Sequence, residues 1–152
     1  MKKYNIQNYV RYKEDLKKSL ARLEGKSWED CTREELITKF MPLVESLARK
    51  FSTSQQASGV QSIMDLIQSG GAGLTKAVDR LDRETLDKSE DVEKTLKSFF
   101  SKRVKGAIRR SIDINRGDIR IPEHKLNEIR KDNGKDQKMV AMFFNSIFLS
   151  ID

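Results

Sequence analysis

The feature that most constrains this chain is a recurrence of apolar side chains three and four positions apart, in a sequence that offers almost no proline to interrupt it. From 96 to 114, Leu96, Phe99, Phe100, Val104, Ala107, Ile108 and Ile112 define one stripe of a long helix whose remaining positions are largely basic. From 36 to 51, Leu36, Ile37, Phe40, Leu43, Val44, Leu47 and Phe51 do the same, and Thr32 with Glu35 ahead of them is a capping-box pattern. Ile6, Val10, Leu16, Leu20 and Leu23 predict an amphipathic, basic first helix that Gly25 ends. With two prolines and eight glycines in 152 residues, the expected fold class is all-α, a small helical bundle without a sheet.

The interruptions predict the organisation. Pro42 removes a backbone donor and is expected to kink its helix or divide it after Phe40. STSQQASGVQS reads as a loop, and Gly70, Gly71 and Gly73 predict a bend that splits 62–82 into two short helices in a hairpin. DRETLDKSEDVEK, 82–94, carries mostly acidic charge and predicts a solvated connection, with the next helix starting near Asp91. Gly117 ends the long helix, IRIP is extended, Pro122 starts a short helix EHKLNEIRK, and KDNGKD is a flexible linker. From 137 the composition turns abruptly apolar and aromatic, which predicts a short hydrophobic tail helix. The expected units are a basic helix at 1–26, a helical domain at 27–131, and a linker with docking tail at 132–152.

Net charge is +7, which points to an anionic partner, either nucleic acid or an acidic membrane surface, and charge alone does not choose between them. Cys31 has no cysteine to pair with, and one histidine with one cysteine cannot build a structural zinc site, so neither disulfide nor metal is expected. No glycine loop precedes a phosphate-binding lysine, and no paired carboxylates suggest a catalytic site; no enzyme activity and no cofactor are expected. The start, MKKYNIQNYVRYKEDL, lacks a signal-peptide core, and no run reaches membrane-spanning length, which predicts a cytoplasmic protein. Basic residues and apolar tail lie on separate elements, so membrane association is not expected.

The positive charge is concentrated. Lys97, Lys102, Arg103, Lys105, Arg109, Arg110, Arg116 and Arg120 share a segment whose acids are Asp113 and Asp118. Like charges crowded on one helix repel by a few tenths of a kcal/mol per close pair, roughly, so either the face is simply solvated or an anion offsets that cost. Phosphates are the expected anion, bound with release of counterions. Phe99 and Phe100, adjacent and therefore about 100° apart on a helix, can place one ring in the core and one beside the arginines, where it can stack a base.

DLIQSGGAGLTKAVDRLD at 65–82 resembles the D-L-I-Q-x-G-x-x-G-L-x-x-A-V-x-x-F segment of sigma-70 family factors. LITKFMPLVESLARKF at 36–51 and AIRRSIDINRGDIRIPEH at 107–124 are similar to that family's L-V-x-x-I-A-x-x-Y and I-R-x-x-R-x-I-R-I-P-x-H patterns, in the same order. The resemblance spans about 33–130 and implies the domain that reads a promoter's minus-ten element, followed by the start of the next domain. It implies docking on the coiled coil of the largest subunit of RNA polymerase core through Asp65, Gln68, Ser69, Gly71 and Thr75. It implies promoter DNA at Phe99, Lys102, Arg103, Arg109 and His124, and the basic segment adds Phe100, Lys105, Arg110, Arg116 and Arg120 to the expected DNA-binding residues. Three departures stand out. The family's paired duplex-opening tryptophans align with Lys102 and Arg103, a base-reading glutamine aligns with Gly106, and the acidic residue following His124 is replaced by Asn127.

Too few residues follow Pro122 for the helix-turn-helix that reads a minus-thirty-five element. In its place Gln137, Val140, Phe143 and Phe144 fit a Q-x-x-h-x-x-a-a pattern that resembles sliding-clamp-binding motifs. SIFLSID, with Phe148 and Leu149, is similar to the tails of late sigma factors of large tailed phages. The competing reading is that Met139, Met142, Phe143, Ile147 and Phe148 cap the domain's own core. The expected function is a promoter-specificity factor for late phage transcription in the host cytoplasm, monomeric when free. A polymerase-binding adaptor or inhibitor without promoter recognition, and a basic helical DNA-binding protein, are the alternatives.

Overall fold

A computed structural model describes residues 3–52, 61–115 and 121–147, the side chains of 3–6 and 143–147 excepted. The described residues form seven α-helices and no strand: α1 (Lys3–Arg22), α2 (Arg33–Ser52), α3 (Ile63–Asp79), α4 (Arg83–Asp87), α5 (Val92–Asn115), α6 (Glu123–Asp132) and α7 (Gln137–Ile147). The all-α bundle expected from periodicity is the observed fold.

Helices α2, α3 and α5 pack together and supply most of the core. On α5, Leu96, Phe100, Val104, Ile108 and Ile112 are buried at four-residue intervals, so the stripe winds slowly round the helix and is met by α3 and α2 along its length. Phe40 of α2 meets Phe100 edge to face, the centroids 4.8 Å apart, a geometry worth about 1 kcal/mol beyond the area buried. Leu66, Ile67, Leu74 and Ala77 close the third side.

Three sequence expectations are corrected. Helix α3 runs unbroken through Gly70, Gly71 and Gly73, and close packing explains two of the glycines. A Cβ on Gly70 would lie 2.7 Å from Val44 Cγ1, and one on Gly73 would lie 2.5 Å from Ala107 Cβ. Missing side chains here admit neighbouring helices; they do not bend the chain. Helix α2 is not divided after Phe40 but continues through Pro42, which is exposed, while Phe40 and Val44 hold the helix to the core on either side. The acidic connection contains α4, capped by Asp82, which accepts from the Glu84 amide at 3.1 Å, and anchored by buried Leu86. The segment between α6 and α7 contains a turn. Asn133 takes a left-handed conformation (φ 55°), Gly134 follows at φ 78°, and the Asp132 carboxylate accepts from the Asp136 amide.

Helix α1 ends near Gly25, as expected, but Val10 is 48% exposed and does not seat it. Tyr9 and Tyr12 pack on the core instead, and Tyr9 Oη donates to Glu45 Oε1 at 2.6 Å and accepts from Arg49 Nη2 at 2.7 Å. The loop expected around 53–60 lies outside the described residues.

Candidate nucleic-acid interface

Helix α3 begins with a reciprocal cap. The Asp65 amide donates to Ser62 Oγ at 3.3 Å and the Ser62 amide to Asp65 Oδ2 at 3.0 Å. With Ile63, Leu66, Ile67, Gly70, Leu74 and Ala77 turned inward, the residues expected at the polymerase surface fall on the outer arc. Asp65 and Gln68 are exposed, and Ser69, Gly71 and Thr75 lie along its flanks, half-buried. Asp65 therefore holds its own helix end as well as facing outward. Ser69 Oγ donates to the Asp65 carbonyl at 3.0 Å and lies 2.8 Å from Ser111 Oγ of α5, which also accepts from Gln61 Nε2 at 2.9 Å. Thr75 Oγ1 donates back to the Gly71 carbonyl at 2.9 Å, and Gly71 sits beside Met41.

The basic residues of α5 divide into two rows about its outer surface. Lys102, Lys105 and Arg109 lie on one side and Arg103 and Arg110 on the other, all exposed, with Gly106 between them. Apart from its chain neighbours and its own helix backbone, no described atom lies within 4 Å of a Cβ built on Gly106. The two phenylalanines separate as their spacing predicts. Phe99 is half-buried with the Arg103 guanidinium 4.9 Å from its ring centroid. Phe100 has no accessible surface, so the expectation that it touches DNA is corrected: the edge-to-face contact with Phe40 holds it in the core. Arg109 lies over the Phe51 ring at 5.9 Å. Lys97 is paired with Glu93 one turn back at 3.3 Å.

Asp113, expected as one of two acids on a basic face, is buried and paired with Arg130 of α6, while Arg110 reaches Glu123 at 3.4 Å. These contacts latch α6 across the C-terminal end of α5, leaving His124 exposed on its first turn. Arg116 and Arg120 lie outside the described residues.

On α7, Gln137 is exposed, Met139 and Val140 are half-buried, and Met142 is 39% exposed. No described α7 residue belongs to the core cluster. The side chains of Phe143 and Phe144, and all of Phe148 and Leu149, lie outside the described residues.

Sequence reasoning missed two residues of this surface. A groove of about 570 Å³ runs between α3 and α5, and Lys76 and Arg80 of α3 face Lys102, Arg103 and Arg110 across it. Their signal was the four-residue spacing of two cations on the outer arc of α3, read there only as part of a docking helix. No described group of histidine, cysteine and carboxylate side chains is placed to hold a metal, and no described helix is long and apolar enough to cross a membrane. The chain matches no known protein-family model.

Proposed function

We propose that the chain is a promoter-specificity factor of the sigma-70 kind, with its minus-ten-reading domain. It binds bacterial RNA polymerase core through the outer arc of α3 and promoter DNA through the basic surface of α5. Its tail, from Gln137 onward, engages a sliding clamp in late phage transcription. One observation carries the reading. The segment that most resembles the family, 65–82, divides cleanly into residues the bundle needs and residues it turns outward. Gly70 and Gly73, motif positions, are where α2 and α5 approach too closely for a side chain, and Asp65 and Gln68 are left facing solvent.

Transcription by purified polymerase core on templates with randomised upstream sequence, with and without a phage sliding clamp, tests this. Initiation at a short A/T-rich element, enhanced by the clamp, is the expected result; absence of core binding overturns it. Gln68→Ala, which removes no hydrogen bond seen among the described residues, is expected to weaken core binding about tenfold. Arg109→Ala is expected to leave core binding intact and to lower promoter use about tenfold. Equal losses in both assays would undo this division. The adaptor reading draws on Phe100 being buried and on cations standing where the family has tryptophans; core binding without initiation would establish it.

A further inference from the structure

We propose that the pair Asp113–Arg130 is a positioning device: it sets where α6 stands against α5, and with it where His124 is presented to promoter DNA. The effect on DNA rests on the reading that the chain recognises a promoter; the pinning of α6 stands without it. Neither residue is among those that the resemblance implies for polymerase or for DNA.

Helix α6 has little else to fix its place. Of its 10 residues only Leu126 is buried, with buried Ile121 just ahead of it. Apolar burial is non-directional, so a helix seated on one leucine can still roll or slide. Between α5 and α6 lies a depression of about 570 Å³ whose walls include Gly106, Arg109 and Asn127, so the two helices do not interlock along their length. Glu123 reaches Arg110 at 3.4 Å, but both side chains are more than half exposed, where an ion pair is worth little and enforces no single geometry.

Asp113 differs on each count. It is the one charged residue buried among those described, and the Arg130 guanidinium meets it there. Arg130 Nη2 donates to Asp113 Oδ1 while Nη1 donates to Asn127 Oδ1 at 3.1 Å, so one planar group is fastened to α5 and to the preceding turn of α6 at once. A buried ion pair adds little net stability over apolar residues of the same volume, because desolvation offsets the attraction; what it supplies is register. His124 stands exposed on the first turn of α6, where a roll by one residue, about 100°, would turn it away. Helix α7 packs on α6 and is carried with it.

Asp113→Leu with Arg130→Met, made in the full chain, removes both charges and leaves apolar bulk, so the fold and core binding are expected to survive. Spin labels at Ser98→Cys on α5 and Lys131→Cys on α6, both exposed, in a Cys31→Ser background, report the distance between the helices without polymerase or DNA. A narrow distance distribution is expected for the parent chain and a broad one for the variant. Equal widths overturn the proposal whatever happens in transcription, and a variant that no longer folds overturns it too, by making the pair a support of the core. In promoter-directed transcription, His124→Ala is expected to cost about tenfold in the parent and no more than about twofold in the variant, because a side chain already misplaced has less to lose. Equal costs in both backgrounds overturn the role at DNA. Absence of initiation by the wild-type chain overturns the proposed function instead, and the distances alone then decide whether the pair pins α6.

Discussion

Tyr12 shows how a single hydroxyl can set the alkaline limit of an interface. Its ring helps seat α1, its Oη is buried without a described partner, and its pKa is pushed up to about 12 by burial first and by Glu45 and Tyr9 second. The protonated form is thus the one that fits the fold. Below the ordinary tyrosine value near 10 its contribution is constant; between 10 and about 12 the folded chain holds a proton the unfolded chain releases, so stability falls as pH rises. Tyr12→Phe removes both the unpaired hydroxyl and this sensitivity. It is expected to gain about 1 kcal/mol in thermal or denaturant unfolding near neutrality, with the gap to wild type widening above pH 10. Loss of stability in the variant would mean that the hydroxyl has a partner worth more than its burial costs.

Between helices, the informative quantity is how near one backbone comes to another. Gly73→Ala would push a methyl group into Ala107, and a loss of about 2 kcal/mol is expected although alanine is the better helix former. Gly106→Ala meets open space and is expected to gain up to about 1 kcal/mol, so paired melting curves should move in opposite directions. The same two glycines explain what could be read in advance. Periodicity located α2 and α5, because an apolar stripe reports a helix whatever it packs against. It could not tell a glycine that ends a helix from one that lets another helix in, since that depends on Val44, Ile108 and Ala107, distant in sequence. Gly25 was legible because its positive φ serves its own chain segment. Pro42, too, is tolerated for a reason outside its own helix: it faces water. Of the candidate surface, the cations of α5 were legible as a cluster, whereas Lys76 and Arg80 joined them only through the α3–α5 contact.

Over the whole molecule, burial is uneven. The largest side chains with essentially no exposure, among them Phe100, Leu66, Leu74 and Ile108, come from α3 and α5, with Val44 of α2 against them. Helix α6 contributes Leu126, with Ile121 just before it, and α7 contributes no buried residue among those described. Amide exchange should follow that gradient. Amides of Phe100, Val104 and Ile108 are expected to exchange only through global opening, and those of α7 at least a hundredfold faster; protection of α7 equal to that of α5 would show that the tail belongs to the core.

The contact at Gly73 and Ala107 has one more consequence, and it concerns measurement. Where two helices meet atom against atom at their backbones, their separation is set by the peptide chain itself and cannot widen or narrow by a change of side-chain rotamer. The surface above the contact therefore behaves as a caliper with its jaws fixed: Lys76 and Arg80 ride on one jaw, Lys102 and Arg103 on the other. The backbones beneath these four side chains keep one spacing, whatever rotamers the side chains themselves take.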